Sequence, residues 1–495
     1  MAANSSYLPA WGTTSTSTIT ASCLILLVLF LIIIHIKSKS QNKVLNLPPG
    51  SYGWPILGET LAFIRASIDG SPEKFVKERM DKYKTQVFKT SLLGESVAVL
   101  CGAAGNKFLF SNENKLVTVW WPSSVRELLG TCLSTTGGTQ GIQMRKMVSY
   151  FLSPDAFTKR YIKIMDIVSQ QHIHTHWQGK EELKVFPAIK LFTFELACRL
   201  FMSIEEPTQI KRLAALFNIF LGGIISIPLN FPGTRFYKAK RATAAIKKEL
   251  QVILRQRKEL LELGKQDAVA SEDDLLSHLL VCPDENGKFM SESDIINNIL
   301  LLLFAGHDTS SSAITMLIKT LAEHPQVYDE VLREQSEIAS SKEAGECLQW
   351  EDIQKMKYTW NVVSETLRLW PPIFGAYREA LVDIKYGGYD IPKGWKFYWN
   401  ASLTHTDSGL FPDSTKFDPS RFDAAAPIPY SFVPFGGGPR MCLGKEFARL
   451  EILTFLHNVI GRFRWNLLIP GEKITCDPIP TPEQGLPIRL HPHKA

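Results

Sequence analysis

The chain has 495 residues, 45% of them hydrophobic and 21% charged, a globular composition that excludes collagen-like and disordered classes. Its 55 basic and 49 acidic residues give a net charge of only +6. That mild surplus suits a membrane-surface protein or one that docks an acidic partner, and with no DNA- or RNA-reading motif we expect no nucleic-acid partner. Eight cysteines without a C-x-x-C pair argue against a disulfide framework or a zinc site and for a reducing compartment.

Residues 1–18 are polar, rich in Ser and Thr, and uncharged. Residues 19–36 are nearly all apolar; at 1.5 Å per residue this stretch spans about 27 Å, enough for one transmembrane helix. A cleaved signal peptide would carry a basic n-region, and none is present. Lys37, Lys39 and Lys43 follow, so the positive-inside rule leaves residues 1–18 lumenal and the bulk of the chain cytosolic. Residues 37–50 read as a basic, proline-rich linker in which Pro48, Pro49 and Gly50 stiffen and turn the chain. No later break or internal repeat is visible, so residues 51–495 are expected to form one domain. Most segments have helical spacing, with short β-rich patches at residues 87–102, 383–399 and 485–492; the expected class is mostly α with small β-sheets.

Further along, residues 217–233 are apolar, and the following stretch from Thr234 to Leu263 is strongly basic with helical spacing. Such a face is most often solvated, but the two segments together suit a surface that dips into a bilayer and admits a greasy substrate. A long helical pattern opens at Ser291, where Ser-x-x-Asp gives a cap, and runs to His324 before Pro325. Its centre reads AGHDTS, Ala305 to Ser310. Glu365 and Arg368 stand three apart on one helix face, where opposite charges pair, and Arg421 follows in DPSRF. Finally, Phe435–Gly444 reads FGGGPRMCLG and is followed by a helical pattern. Cys442 therefore lies at a helix N-terminus, where backbone N–H groups favour a thiolate.

The string F-x-x-G-x-R-x-C-x-G in Phe435–Gly444 resembles the haem-thiolate loop of the cytochrome P-450 monooxygenases, and AGHDTS resembles their oxygen-binding groove. The resemblance implies a single large haem-thiolate domain with Cys442 as the axial ligand of haem b iron. Phe435, Gly438 and Gly444 would shape the loop, and Arg440, Arg378 and Arg145 would meet the propionates. Ala305 and Gly306 would let haem and dioxygen approach the helix. Asp308 and Thr309 would form an acid–alcohol pair that delivers protons. Glu365, Arg368 and Arg421 would make a buried structural network behind the cysteine loop. One departure stands out: Gly141 occupies the position where the family often has a tryptophan four residues before Arg145. The family further implies an endoplasmic-reticulum membrane protein, single-pass, with electrons from NADPH arriving through NADPH–cytochrome P-450 reductase. Lys146, Lys445 and Arg449 are candidates for its docking face.

Several stretches, among them NKFLFSNENKLVTVWWPSSV, KMKYTWNVVSETLRL and FVPFGGGPRMCLGKEFARLEIL, resemble the plant triterpenoid-oxidising, amyrin oxidase-like family, with the taxane hydroxylases of yew as nearest relatives in pattern. The implied substrate is a rigid hydrophobic terpenoid, foremost a pentacyclic triterpene of oleanane or ursane type, with ring hydroxylation and C-28 oxidation both open. A taxane-type diterpenoid hydroxylase is the alternative. A haem-thiolate lyase or isomerase is more distant, because such enzymes usually lose the acid–alcohol pair. Candidate pocket walls are Val125, Leu128, Leu129, the Phe217–Ile225 segment, Leu303, Phe304, Ile373, Phe374 and Ala376.

Overall fold

A computed structural model describes positions 22, 25 and 28–30 and residues 45–55, 57–153, 156–262, 274–343, 345–423 and 427–493. Most of the expected 19–36 anchor thus lies outside the described residues, as does all of the expected lumenal segment; the five described positions of the anchor are helical and exposed. Residues 46–50, read from sequence as linker, are already tied to the globule. Asn46 donates from its backbone to Asp390 and from its side chain to the Gly388 carbonyl, and Lys89 N–H donates to the Pro49 carbonyl.

The helix Glu292–Glu323 is the spine. Ser291 caps it by accepting from the Asp294 N–H at 3.1 Å, and Pro325, which cannot continue a helix but starts one well, opens the next. It is the one helix among the described residues long and apolar enough to cross a bilayer, yet 72% of that window is buried. It is apolar over most of its surface because it is a core helix, packed on most sides. The helices Val185–Met202 and Lys445–Ile460 pack on it. Around these the main apolar core gathers, with Trp177 fully buried against Phe455 and Phe463.

Strands β1 (Val87–Leu92), β2 (Glu95–Leu100), β3 (Val117–Val119), β4 (Glu182–Lys184), β5 (Gly375–Ala380), β6 (Ile384–Tyr386), β7 (Tyr389–Ile391), β8 (Lys396–Asn400), β9 (Phe463–Leu467), β10 (Ile474–Cys476), β11 (Pro480–Pro482) and β12 (Pro487–Pro492) form four small sheets. The largest has the order β1-β2-β8-β5-β3 and is antiparallel except for β2 against β8. It carries two satellite cores of its own. All three β-rich patches contain strands, and the mostly helical class with small sheets is the one found. One register matters below: β3 pairs with β5 so that Val119 faces Arg378.

Candidate active site

The cysteine loop is a tight hairpin. Cys442 N–H donates to the Phe435 carbonyl at 2.9 Å and Gly436 N–H to the Val433 carbonyl at 3.0 Å. Gly438 has φ +65°, and a Cβ there would lie 2.2 Å from the Phe110 carbonyl oxygen, so position 438 admits only glycine. Gly437 lies against the Phe110 ring, 2.5 Å from where its Cβ would stand. Gly444 caps the Lys445–Ile460 helix, and its N–H is directed to the Cys442 thiol. By area Cys442 is exposed, yet burial dominates its thiol and pushes the pKa up, opposed by the Gly444 N–H and the Arg145 charge. Both hold if the sulfur opens onto an internal hollow rather than the outer surface. Ala305 agrees: it too is exposed although the spine around it is buried. The two halves of the site meet across Phe201, which stands 3.6 Å from a Gly306 Cβ position and 5.8 Å, ring to ring, from Phe447.

The three arginines converge. Arg145 donates to the Met441 carbonyl, beside the cysteine. Arg440 donates to the Leu133 carbonyl at 2.9 Å and the Thr136 carbonyl at 2.7 Å. Arg378 donates from Nε to Glu113 at 2.6 Å, and Arg440 Nε stands 3.5 Å from the other oxygen of the same carboxylate. Burial and the neighbouring Arg440 charge lower the pKa of Arg145. This geometry also accounts for the missing tryptophan. A Cβ on Gly141 would lie 2.2 Å from the Thr136 carbonyl oxygen and 3.0 Å from Arg440 Nη2, so Arg440 and the 133–136 backbone fill the space a larger side chain would need. An accessible thiol at a helix N-terminus, an exposed small-residue face and a part-buried cluster of arginines suit a flat, dianionic, thiolate-ligated cofactor, and haem b is such a group.

On the spine, Thr309 Oγ donates back to the Ala305 carbonyl at 2.6 Å, a bond that loosens a helix locally. Asp308 is buried, and its Oδ1 lies 3.1 Å from Lys190 Nζ on the Val185–Met202 helix, though without hydrogen-bond alignment. The same helix braces the spine through Thr193, whose hydroxyl donates to the His307 carbonyl at 3.0 Å. Burial pushes the His307 pKa down to about 4, so this ring is neutral near pH 7. Lys190 had no sequence signal, being a lone lysine in an apolar helix.

Glu365 and Arg368 make a two-pronged pair, both bonds 2.7 Å. Arg368 also donates to the His405, Ser414 and Lys416 carbonyls, and Arg421 Nε reaches Glu365 at 3.3 Å. His405, which sequence reading passed over, carries the network to the cysteine loop. Its Nδ1 lies 3.1 Å from the Arg368 carbonyl, and its Nε2 accepts from Val433 N–H at 2.9 Å. Burial pushes its pKa down to about 3, so the ring stays neutral and Nε2 remains an acceptor.

The expected walls divide. Val125, Leu128, Leu129, Leu303 and Phe217 are at most 1% exposed and are packed core, because helical spacing marks an inward face without saying what covers it. Phe304, Ile373, Phe374 and Ala376 keep accessible surface. At the end of the Pro207–Ile224 helix a cavity of about 380 Å³ opens beside Ile219, Ile225, Arg235 and Asp477. Ile227, Leu229 and Phe231, next to it, are exposed. Of the docking candidates, Lys146 pairs with Glu285 and Arg449 with Glu446.

The sequence model of the Cytochrome P-450 family matches residues 48–488. The beta-amyrin 28-monooxygenase of Kalopanax septemlobus is 54% identical, covering 91% of this chain and 93% of that protein. The protein of that name from Vitis vinifera is 53% identical over 91% of this chain and 93% of its own length. Among solved structures, retinoic acid-bound cyanobacterial CYP120A1 superposes with a TM-score of 0.81 at 36% identity, covering 91% of this chain and all of that one.

Proposed function

The chain belongs to the cytochrome P-450 family, and from that premise we propose that this monooxygenase oxidises carbon 28 of a pentacyclic triterpene of the amyrin type. One oxygen atom enters a C–H bond and the other leaves as water, with two electrons drawn from NADPH through a reductase. Haem b bound through the Cys442 thiolate supplies the activation of dioxygen. The chain's own residues do the rest. Gly444 N–H and Arg145 work toward the thiolate against the burial that raises the thiol pKa. In this reading Arg145, Arg378 and Arg440 hold the cofactor's carboxylates. The Thr309 hydroxyl would turn from the Ala305 carbonyl to present a proton at the oxygen-binding position, and Asp308, held by Lys190, would relay its replacement from solvent through water.

The observation that carries the substrate is the 54% identity, over 91% of the chain, to a beta-amyrin 28-monooxygenase. Residues 19–36 would anchor the enzyme in the endoplasmic reticulum, and the exposed Ile227, Leu229 and Phe231 would rest in the lipid beside the cavity mouth, giving a water-insoluble substrate a dry path. The redox partner in this reading is NADPH–cytochrome P-450 reductase. The test is product mass spectrometry from yeast microsomes holding this chain and a plant reductase, fed β-amyrin, α-amyrin, lupeol and taxadiene. NADPH-dependent oxygen addition, located at C-28 by fragmentation, is expected with the amyrins. Oxygen on a ring carbon would overturn the regiochemistry, and reaction with taxadiene alone would overturn the substrate class.

A further inference from the structure

The turn at residues 112–117 buries a carboxylate among the arginines. Asn112 C=O accepts from the N–H groups of Lys115, Leu116 and Val117, and Asn114 takes φ +61°, a conformation asparagine tolerates better than most residues. Glu113 is thereby turned inward, and its side chain is only 1% exposed. The β3–β5 register brings Arg378 to it. Glu113 Oε2 accepts from Arg378 Nε at 2.6 Å. Oε1 lies 3.5 Å from Arg440 Nε without hydrogen-bond alignment. Arg378 spends Nη1 on the Tyr377 carbonyl, and among the described residues Nη2 has no acceptor.

We propose that Glu113 is a positioning residue for the haem: it sets the spacing of Arg378 and Arg440 and trims the positive charge of the site to match the cofactor. The charges balance on inspection. Arg145, Arg378 and Arg440 bring three positive charges, and Glu113 brings one negative, leaving +2 against the two carboxylates of haem b. Without Glu113 a surplus positive charge would be buried, which is costly at low dielectric. Arg378 is fixed by its Nε, so Nη2 stays directed as a donor; a fork held on one prong loses less freedom when the other binds. Charge near the iron also sets how readily it accepts an electron. An anion at position 113 therefore holds the reduction potential down.

The inference rests on the haem-thiolate reading, and its test keeps the two apart. Full-length wild type, Glu113→Gln and Glu113→Asp are purified into lipid nanodiscs. The absorption of the ferrous carbonyl complex reports the Cys442 ligand; a spectroelectrochemical titration reports the ferric/ferrous couple. Loss of the thiolate-type spectrum from wild type would sink the haem reading itself. With that spectrum intact, Glu113→Gln should raise the ferrous-to-ferric ratio at fixed poise about tenfold, a shift of about 59 mV for one electron. Glu113→Asp, which keeps the charge, should stay at the wild-type potential. A folded Glu113→Gln protein that fails to retain haem while Glu113→Asp retains it would also support the proposal. Equal potentials in wild type and Glu113→Gln would overturn it, as would loss of the helical circular dichroism in both variants, which would assign Glu113 to the fold alone.

Discussion

Two clusters in this molecule have the same composition, one glutamate and two arginines, and opposite characters. Around Glu365 every partner is protein. Arg368 grips both carboxylate oxygens at 2.7 Å and gives its other donors to three carbonyls, while Asp418 N–H and Arg421 Nε fill what remains on Oε1. Around Glu113 the account does not close: one oxygen has no aligned donor, and Arg378 Nη2 has no acceptor among the described residues. A buried ion pair is stable only when its donors and acceptors are met. The closed cluster is therefore part of the fold, and the open one is, on the proposal above, half of an interaction whose other half is the haem.

The largest expected effect breaks the closed cluster. Glu365→Ala strands the Arg368 guanidinium, whose side chain is 0% exposed, at a cost of about 3–5 kcal/mol. A clear fall in the thermal midpoint and in the yield of haem-loaded protein should follow, read by circular dichroism and the ferrous carbonyl spectrum. A melt matching wild type would show that the carbonyls alone hold Arg368. Next comes Cys442→Ala, in which the thiolate-type carbonyl spectrum should vanish while the helical signal survives, because the loop's anchor is His405 to Val433 and the glycines on Phe110. Collapse of the fold would mean that the haem, not His405, ties the loop down.

A smaller effect is expected where an ion pair serves turnover. Lys190→Met removes the cation 3.1 Å from Asp308 and should lower product formed per NADPH consumed several-fold, with the loss shared by Thr309→Ala, since proton delivery of this kind contributes about 10²–10⁴ in rate. The double variant should be little worse than Thr309→Ala. Unchanged coupling in Lys190→Met would assign that pair to helix packing.

Much of this contrast was legible in the chain, and the boundary is physical. The helical class follows from periodicity, the cysteine loop from a contiguous string, and Glu365 with Arg368 from a spacing of three on one helix. Glu113 could not be read in the same way. Its bond to Arg378 spans 265 residues and depends on a β3–β5 register that no local pattern announces. His405 reaches Val433 across 28 residues, and nothing marks it among other buried histidines. Gly141 was visible as a departure, but its cause, Arg440 in the space of the missing side chain, is a fact of packing. The walls divide for the same reason: Leu303 and Phe304 are neighbours in sequence, yet one is fully buried and the other keeps surface.

Another buried carboxylate extends the comparison. Glu451, on the Lys445–Ile460 helix, is 1% exposed, and neither of its oxygens has a well-aligned partner. Where Glu365 and Glu113 each have two arginines, Glu451 has the Ser310 hydroxyl, which lowers its pKa less than burial raises it; the outcome is a value of about 8. The sign follows from linkage. A carboxyl raised from 4.5 to about 8 holds a proton in the folded protein that the unfolded chain has released. Its contribution to stability is intact below pH 4.5, erodes as pH rises, and is gone above about 8. Glu451→Gln removes that slope. Thermal midpoints of wild type and variant should lie close together near pH 5, with the variant higher by several degrees at pH 8. Glu365→Gln should show no such gain at pH 8, because it removes the buried counter-charge of Arg368 and Arg421. A pH-independent gap between wild type and Glu451→Gln would mean that Ser310, with water, already solvates the charge, and that Glu451 differs from Glu365 and Glu113 in its partners alone.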